Sequence, residues 1–150
     1  MEFLDLARQR CTTRGFTDKE IDASDLGYIL SAARVAPTAC NRQPQRIIVV
    51  RQPDGILKVR KAYHTFNSRC VLIVCRDARD ALVRPFDQKC SADLDIGIVC
   101  DHMMLAARER GIGSVSSASS TRESLPKSSA SPDISNRRRC SSSGARKKAS

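Results

Sequence analysis

Hydrophobic residues follow helical and strand periods along the first 115 positions of this chain and then nearly vanish. Phe3, Leu4, Leu6 and Ala7 fit one side of a short first helix, which would deliver residues 10–14 at its C-terminal end or in the following loop. From Ser24, a candidate N-cap, Leu26, Ile29, Leu30 and Ala33 fall at helical spacing. Pro37 ends that helix near Ala36, because a proline ring crowds the residue before it out of the helical region. Residues 47–50 are a short β-branched run that predicts a buried strand, followed by a Pro-Asp-Gly turn at 53–55 and a second strand at 71–75. Residues 77–89 have mixed charge and no clean period, and read as a loop with one helical turn. From Leu94 to Arg110 the pattern is helical again, with Ile96, Val99, Cys100, Met103, Ala106 and Ala107 on one side and Ile98 and Leu105 encroaching on the other. So wide an apolar surface predicts a central helix buried on more than one side, closed by Gly111 and Gly113. No internal repeat is present.

Composition sharpens the boundary near residue 115. Residues 1–115 hold 18 Lys plus Arg against 14 Asp plus Glu and five serines; residues 116–150 hold eight basic against two acidic residues and thirteen serines. The only large aliphatics in that second region are Leu125 and Ile134, and more than half of the net charge of +10 lies there. A segment so poor in apolar groups cannot offset its own ordering entropy. Two regions are therefore expected, a folded domain over 1–115 and a disordered Ser/Arg-rich tail over 116–150. A body this small buries a modest share of its surface, which favours a partner subunit.

No apolar run approaches the roughly 20 residues of a membrane helix, and the N-terminus lacks a basic region followed by a long apolar stretch. The expectation is a soluble, cytoplasmic protein without membrane contact. Cys11, Cys40, Cys70, Cys75, Cys90, Cys100 and Cys140 form no CxxC pair and no metal-ligand rhythm, and His64 and His102 stand alone. Reduced, mostly packed thiols and no metal centre follow.

Three segments carry candidate chemistry. The first, residues 10–14, sets Arg10 and Arg14 around Cys11, Thr12 and Thr13, and two guanidinium forks with a hydroxyl suit a phosphate dianion, although such a pair also suits a solvated helix end. The second is Pro37, Thr38, Ala39, Cys40, Asn41, Arg42, Gln43 and Pro44, a helix-to-strand loop whose amides offer both donors and acceptors. The third, DIGIVCDHMMLAARERGIGS over 95–114, is core packing by its own pattern.

Taken together and in this chain order, the three segments resemble the flavin-dependent nitroreductase family, over most of residues 1–115. The resemblance implies an α+β fold, a nitroreductase-like sandwich with a central mixed or antiparallel sheet flanked by helices, here with its C-terminal part missing. It implies an intertwined homodimer with FMN at the interface, each flavin touched by both subunits. Arg10, Cys11, Thr12 and Arg14 match the family's phosphate and ribityl segment. Thr12 stands in for a serine there, and Cys11 replaces a basic or imidazole residue, leaving its backbone N–H. Pro37, Thr38, Ala39, Asn41 and Gln43 match the family's Pro-Ser-x-x-Asn-x-Gln-Pro loop, with Gln45 where an aromatic is usual. Met103 and Met104 match the helix used for dimer contact. No catalytic acid, base or nucleophile is expected, because the cofactor carries the redox step. The implied cycle is ping-pong, from NAD(P)H through FMN to a small-molecule acceptor such as a nitroaromatic or quinone.

After Val115 the resemblance stops. Shifting the reading so that the first two bases of each codon become the second and third permits FDP at 120–122 and EPAPLLLLGRPKE at 136–148, both similar to segments the family has further on. A frameshifted C-terminus is therefore expected. The nucleotide sequence decides it, since stop codons in the other frame, or no family-like continuation, would exclude the idea. Two rival functions remain at this stage. One is a degenerate, non-catalytic product of such a gene. The other is a basic nucleic-acid or anion-binding protein with the tail as a flexible arm, which the lack of aromatic residues in the tail disfavours.

Overall fold

The computed structural model describes residues 2–77 and 79–117. The expected tail over 116–150 and the expected frameshifted continuation lie outside the described residues, apart from Ser116 and Ser117. Helix α1 (Phe3–Gln9) is followed by α2 (Ala23–Val35), a single 3₁₀ turn (Ala39–Asn41), β1 (Gln45–Val50), α3 (Pro53–Ala62), β2 (Val71–Arg76) and α4 (Ala92–Glu109).

The core is the seam between α2 and α4. Ile29, Ala33 and Ala36 meet Val99, Met103, Ala106 and Ala107, and Val99 is fully buried. Alanines at four of these seven positions let the two helices approach closely, so the larger Ile29, Val99 and Met103 fill the space between. The helices run antiparallel. At one end, Tyr28 donates to Glu109 at 2.5 Å and Arg110 lies 4.0 Å over the Tyr28 ring and 3.9 Å from Asp25. At the other end, Ala39, three residues past the α2 C-cap, meets Asp95 in the opening of α4.

The sheet is one antiparallel pair, with Ile47 opposite Val74, Ile48 opposite Ile73 and Val49 opposite Leu72. Because strand side chains alternate, Ile47, Leu72 and Val74 pack on the helix core, while Ile48 and Ile73 face away. Residues 47–50 are therefore not the fully buried strand their composition predicts. Ile48 is exposed, because α3 covers the outer face only near Val50, whose Cγ1 lies 2.8 Å from where a Cβ on Gly55 would sit, and Val49, on the inner face opposite Leu72, is exposed as well.

Local sequence explains most element limits. Helix α2 starts at Ala23 with Asp22 rather than Ser24 as its N-cap, and neither side chain makes a capping bond. Helix α4 ends in a Schellman motif. Gly111 adopts φ 71°, its N–H donates to Arg108 O, and the N–H of Ile112 donates to Ala107 O at 2.8 Å. The expected turn at 53–55 is instead the first turn of α3. Pro53 sits where the helix needs no N–H donor, Asp54 complements the N-terminal dipole, and burial of Ile56 and Val59 one turn apart extends the helix.

The one helical turn expected within 77–89 is present, Gln88 N donating to Arg84 O at 2.9 Å, but it forms the tip of a small hairpin that closes over 82–91. Ser91 N donates to Leu82 O, Arg84 N donates to Lys89 O, Val83 bridges Cys90, and Arg84 pairs with Asp87 and covers Phe86. The packing expected of the cysteines is also corrected. The six described cysteines are free, but Cys11, Cys40 and Cys90 are exposed and Cys70, Cys75 and Cys100 only half-buried. Burial still pushes the Cys70 and Cys100 thiols up. Among the described residues, no helix is long and apolar enough to cross a membrane and no cluster of three or more metal-ligating side chains exists.

The seam sets unequal costs for two aliphatic truncations. Ile29→Ala, at a site 4% exposed, should lower unfolding stability by roughly 2–5 kcal/mol in urea titration. Leu94→Ala, on α4 but 70% exposed, should change it by no more than about 0.5 kcal/mol. Asp77 gives a pH signature. Hydrogen bonds from the Arg79 side chain and N–H hold its carboxyl down to about 2, from an ordinary value of 3.8, with Arg46 adding attraction. A folded-state pKa below the unfolded one stabilises above the unfolded value and stops doing so as pH falls through the folded one. The gap in urea midpoint between the parent and Asp77→Asn should thus be full at pH 6 and shrink between 3.8 and about 2; a gap independent of pH would contradict the assignment.

Candidate functional site

Residues 10–14 leave α1 as extended backbone and are fixed against the far end of α4. Thr12 forms a parallel bridge with Ser114, and Thr13 N–H donates to Ser114 O at 2.9 Å. The approach is close enough that a Cβ on Gly113 would lie 2.5 Å from Thr13 Oγ1, so only glycine fits there without displacement. Arg108 adds a bond to Gln9 Oε1 at 3.1 Å. This anchorage uses backbone and Thr13, leaving Cys11, Thr12 and Arg14 exposed and Arg10 half-buried. Among the described residues, neither Arg10 nor Arg14 has an ion-pair partner, although nine other ion pairs are present. Two unneutralised guanidinium groups flanking a threonine hydroxyl are chemically suited to a phosphate.

The loop of residues 37–44 joins α2 to β1. Pro44 is buried and Pro37, Cys40, Asn41 and Gln43 are exposed. Cys40, Asn41 and Gln43 have φ of 51°, 51° and 48°, half of the non-glycine residues with positive φ among those described. Each such residue costs about 1–3 kcal/mol and persists only where its surroundings hold it. The holding contacts are specific. Asn41 N donates to Thr38 O and Gln43 N to Thr38 Oγ1, Gln43 Nε2 reaches Arg34 O at 3.4 Å, and Arg46 donates to Gln43 O. Asp95 Oδ1 accepts the N–H of Ala39 at 2.9 Å. The exposed amides of Asn41 and Gln43 can each both donate and accept. Gln45, following Pro44, donates to Ala33 O at 3.4 Å while its Oε1 is buried without a partner.

The structure does not bring the two predicted segments together within one chain. Residues 10–14 lie beyond the C-terminal end of α4 and residues 37–43 at its N-terminal end, and the 14 steps from Asp95 to Glu109 alone span about 21 Å at about 1.5 Å per step. Between them runs the buried seam.

The sequence reading missed Asp95 and Ser91. Asp95 is 1% exposed and also accepts the Ser91 hydroxyl at 2.8 Å. A signal for it exists. Ala92, Asp95, Val99, Met103 and Ala106 are all buried at helical spacing, so Asp95 is a carboxylate set into an apolar stripe. A shallow depression lined by Arg46, Cys75, Arg76, Asp77 and Arg79 adjoins the loop, since Asp77 N donates to Pro44 O. Its arginines are each paired, Arg46 with Asp80, Arg76 with Asp93 and Arg79 with Asp77, which leaves little net charge there for an anion.

Comparison with known proteins agrees with this architecture. Residues 7–69 match the model of the nitroreductase family. A protein of Archaeoglobus fulgidus provisionally named an NADH dehydrogenase/NAD(P)H nitroreductase is 36% identical over 122 residues, covering 76% of this chain and 66% of its own length. The crystal structure of a nitroreductase family protein from Clostridium difficile 630 superposes with a TM-score of 0.73 at 42% identity, covering 74% of this chain and 64% of that one. A provisionally named nitroreductase of Desulfovibrio desulfuricans, crystallised in complex with FMN, superposes with a TM-score of 0.63 at 27% identity, over 75% of this chain and 65% of that one. The chain thus spans a little under two thirds of the length of each. The shared α+β fold, the family match over residues 7–69 and the identity to these relatives place it: the chain belongs to the nitroreductase family.

Proposed function

We propose that this chain is an FMN-dependent oxidoreductase that acts as a homodimer, with each FMN held between residues 10–14 of one copy and residues 37–43 of the other. The observation that carries this reading is the separation of the two segments. Each is preorganised and exposes polar groups suited to part of a phosphorylated flavin, yet α4 holds them at opposite ends. One FMN can meet both only if a second copy supplies the missing half. Exposed Phe3, Leu4, Val35, Ile48 and Leu94 leave apolar surface on the monomer that a partner copy would cover. The FMN-complexed relative supports the cofactor, and the name of the Archaeoglobus relative supports NAD(P)H as donor.

The residues present fit the cofactor. Arg10 and Arg14 would take the phosphate with the Thr12 hydroxyl, and the N–H of Cys11 lies between them. Pro37, Thr38 and Ala39 would shape the second wall, and Asn41 and Gln43 would pair with the ring heteroatoms. Bound FMN supplies the electron relay between a nicotinamide donor and an organic acceptor, so the protein needs no acid, base or nucleophile of its own. What the chain does is bind, orient and exclude water, with donor and acceptor such as a nitroaromatic or quinone using one opening in turn, the ping-pong order.

The phosphate assignment separates FMN from riboflavin, which has the same ring and no phosphate. Replacing Arg10 and Arg14 together by alanine should weaken FMN binding by at least about tenfold in fluorescence-quenching titrations while changing riboflavin binding by less than about threefold. Equal losses for both ligands would refute the assignment. A colourless, aggregated parent protein that binds neither flavin and does not oxidise NAD(P)H would instead support a non-catalytic product.

A further inference from the structure

We propose that Asp95 is a positioning residue, whose buried carboxylate sets the conformation in which residues 38–43 meet their ligand. The link to FMN rests on the function proposed above; the link to the loop rests on geometry alone. A carboxylate that is 1% exposed is costly unless hydrogen bonds compensate it, and none of the described ion pairs includes Asp95. Its two oxygens are used separately, Oδ1 accepting from Ala39 N–H at 2.9 Å and Oδ2 from the Ser91 hydroxyl at 2.8 Å.

Ser91 occupies the N-cap position of α4, where its hydroxyl would ordinarily accept a bond from the first turn. It makes no such bond and donates to Asp95 instead. A capping interaction has been given up to orient this carboxylate. An aliphatic side chain would serve the stripe formed by Ala92, Val99, Met103 and Ala106 better, so helix packing does not explain an aspartate at this position.

What Asp95 holds is the entrance to the left-handed arc. Ala39 lies directly before Cys40 and Asn41, both at φ 51°, and the arc is closed on its other side by the bond from Gln43 N–H to Thr38 Oγ1. With the amide of residue 39 fixed to α4 and residue 43 fixed to residue 38, the strained residues between cannot relax toward ordinary backbone. The direction of the Asn41 amide is thereby set from the first turn of α4.

The test uses the full chain with Asp95→Leu, which fills the stripe and removes the acceptor, and Asp95→Asn, which keeps an acceptor oxygen for Ala39. In flavin-free protein, hydrogen exchange at the amides of 39–43 should accelerate by at least about tenfold in Asp95→Leu, with exchange in the interior of α2 and α4 unchanged. FMN affinity should fall by a similar factor, and Asp95→Asn should restore most of both. The proposal is overturned if Asp95→Leu keeps parent exchange rates in the loop, or if exchange rises throughout α2 and α4 as much as in the loop. Should Asp95→Leu not fold, Asp95→Ala takes its place, and failure of both to fold makes Asp95 a general stability residue and ends the proposal. A parent that ignores FMN while loop exchange responds as described defeats the flavin reading and leaves the positioning role standing.

Discussion

The antiparallel seam between α2 and α4 is the constraint on which the rest of the structure depends. Its alanines bring the two backbones together and its few larger side chains lock their register. A helix has a fixed rise per residue, so once the seam is set, the positions of everything attached to its ends are set too. Residues 10–14 are tied to one end through Thr13 and Ser114, residues 37–44 to the other through Ala39 and Asp95. The sheet contributes one apolar face to the same core and leaves the other largely open.

This arrangement turns a packing problem into a functional one. A rigid pair of helices cannot fold back to join its own ends, so a ligand that needs both polar segments needs two chains. On the proposed reading, dimerisation is part of how the site is built, and the apolar surface exposed on the monomer has the same origin as the divided site. The strain in residues 40–43 fits this picture, because an arc held from the rigid core is already arranged when a partner arrives, which lowers the ordering cost of binding.

Much of this was legible in the sequence where local signals and tertiary demands agree. Leu26, Ile29 and Ala33 at helical spacing, Pro37 as a stop and Gly111 as a left-handed cap gave α2 and the end of α4 within a residue or two. Helix α3 was not legible, because Pro53, Asp54 and Gly55 serve equally as a turn and as a helix start, and burial of Ile56 and Val59 decides between them. The exposure of Ile48 depends on how many elements cover the sheet, which no local period encodes. The polar segments were recognisable by residue type, but their placement at opposite ends of α4 belongs to topology. Asp95 was visible in principle as a charge inside the apolar stripe of Ala92, Val99, Met103 and Ala106, a stripe masked by the half-buried Ile96, which lies about 100° further round the helix.

The central claim is that the flavin site is shared between chains, and subunit mixing tests it most directly. One variant would carry Arg10→Ala with Arg14→Ala, the other Asn41→Ala with Gln43→Ala, and neither alone should retain FMN. If the site spans two copies, equal mixing and reassociation regenerates an intact site in each mixed dimer, and FMN binding should return to about one quarter of the parent's sites, the statistical expectation for a two-fold assembly. If both segments serve a site within one chain, every site in the mixture stays damaged. Binding no higher than that of the separate variants, in a mixture shown to contain mixed dimers, would contradict the account.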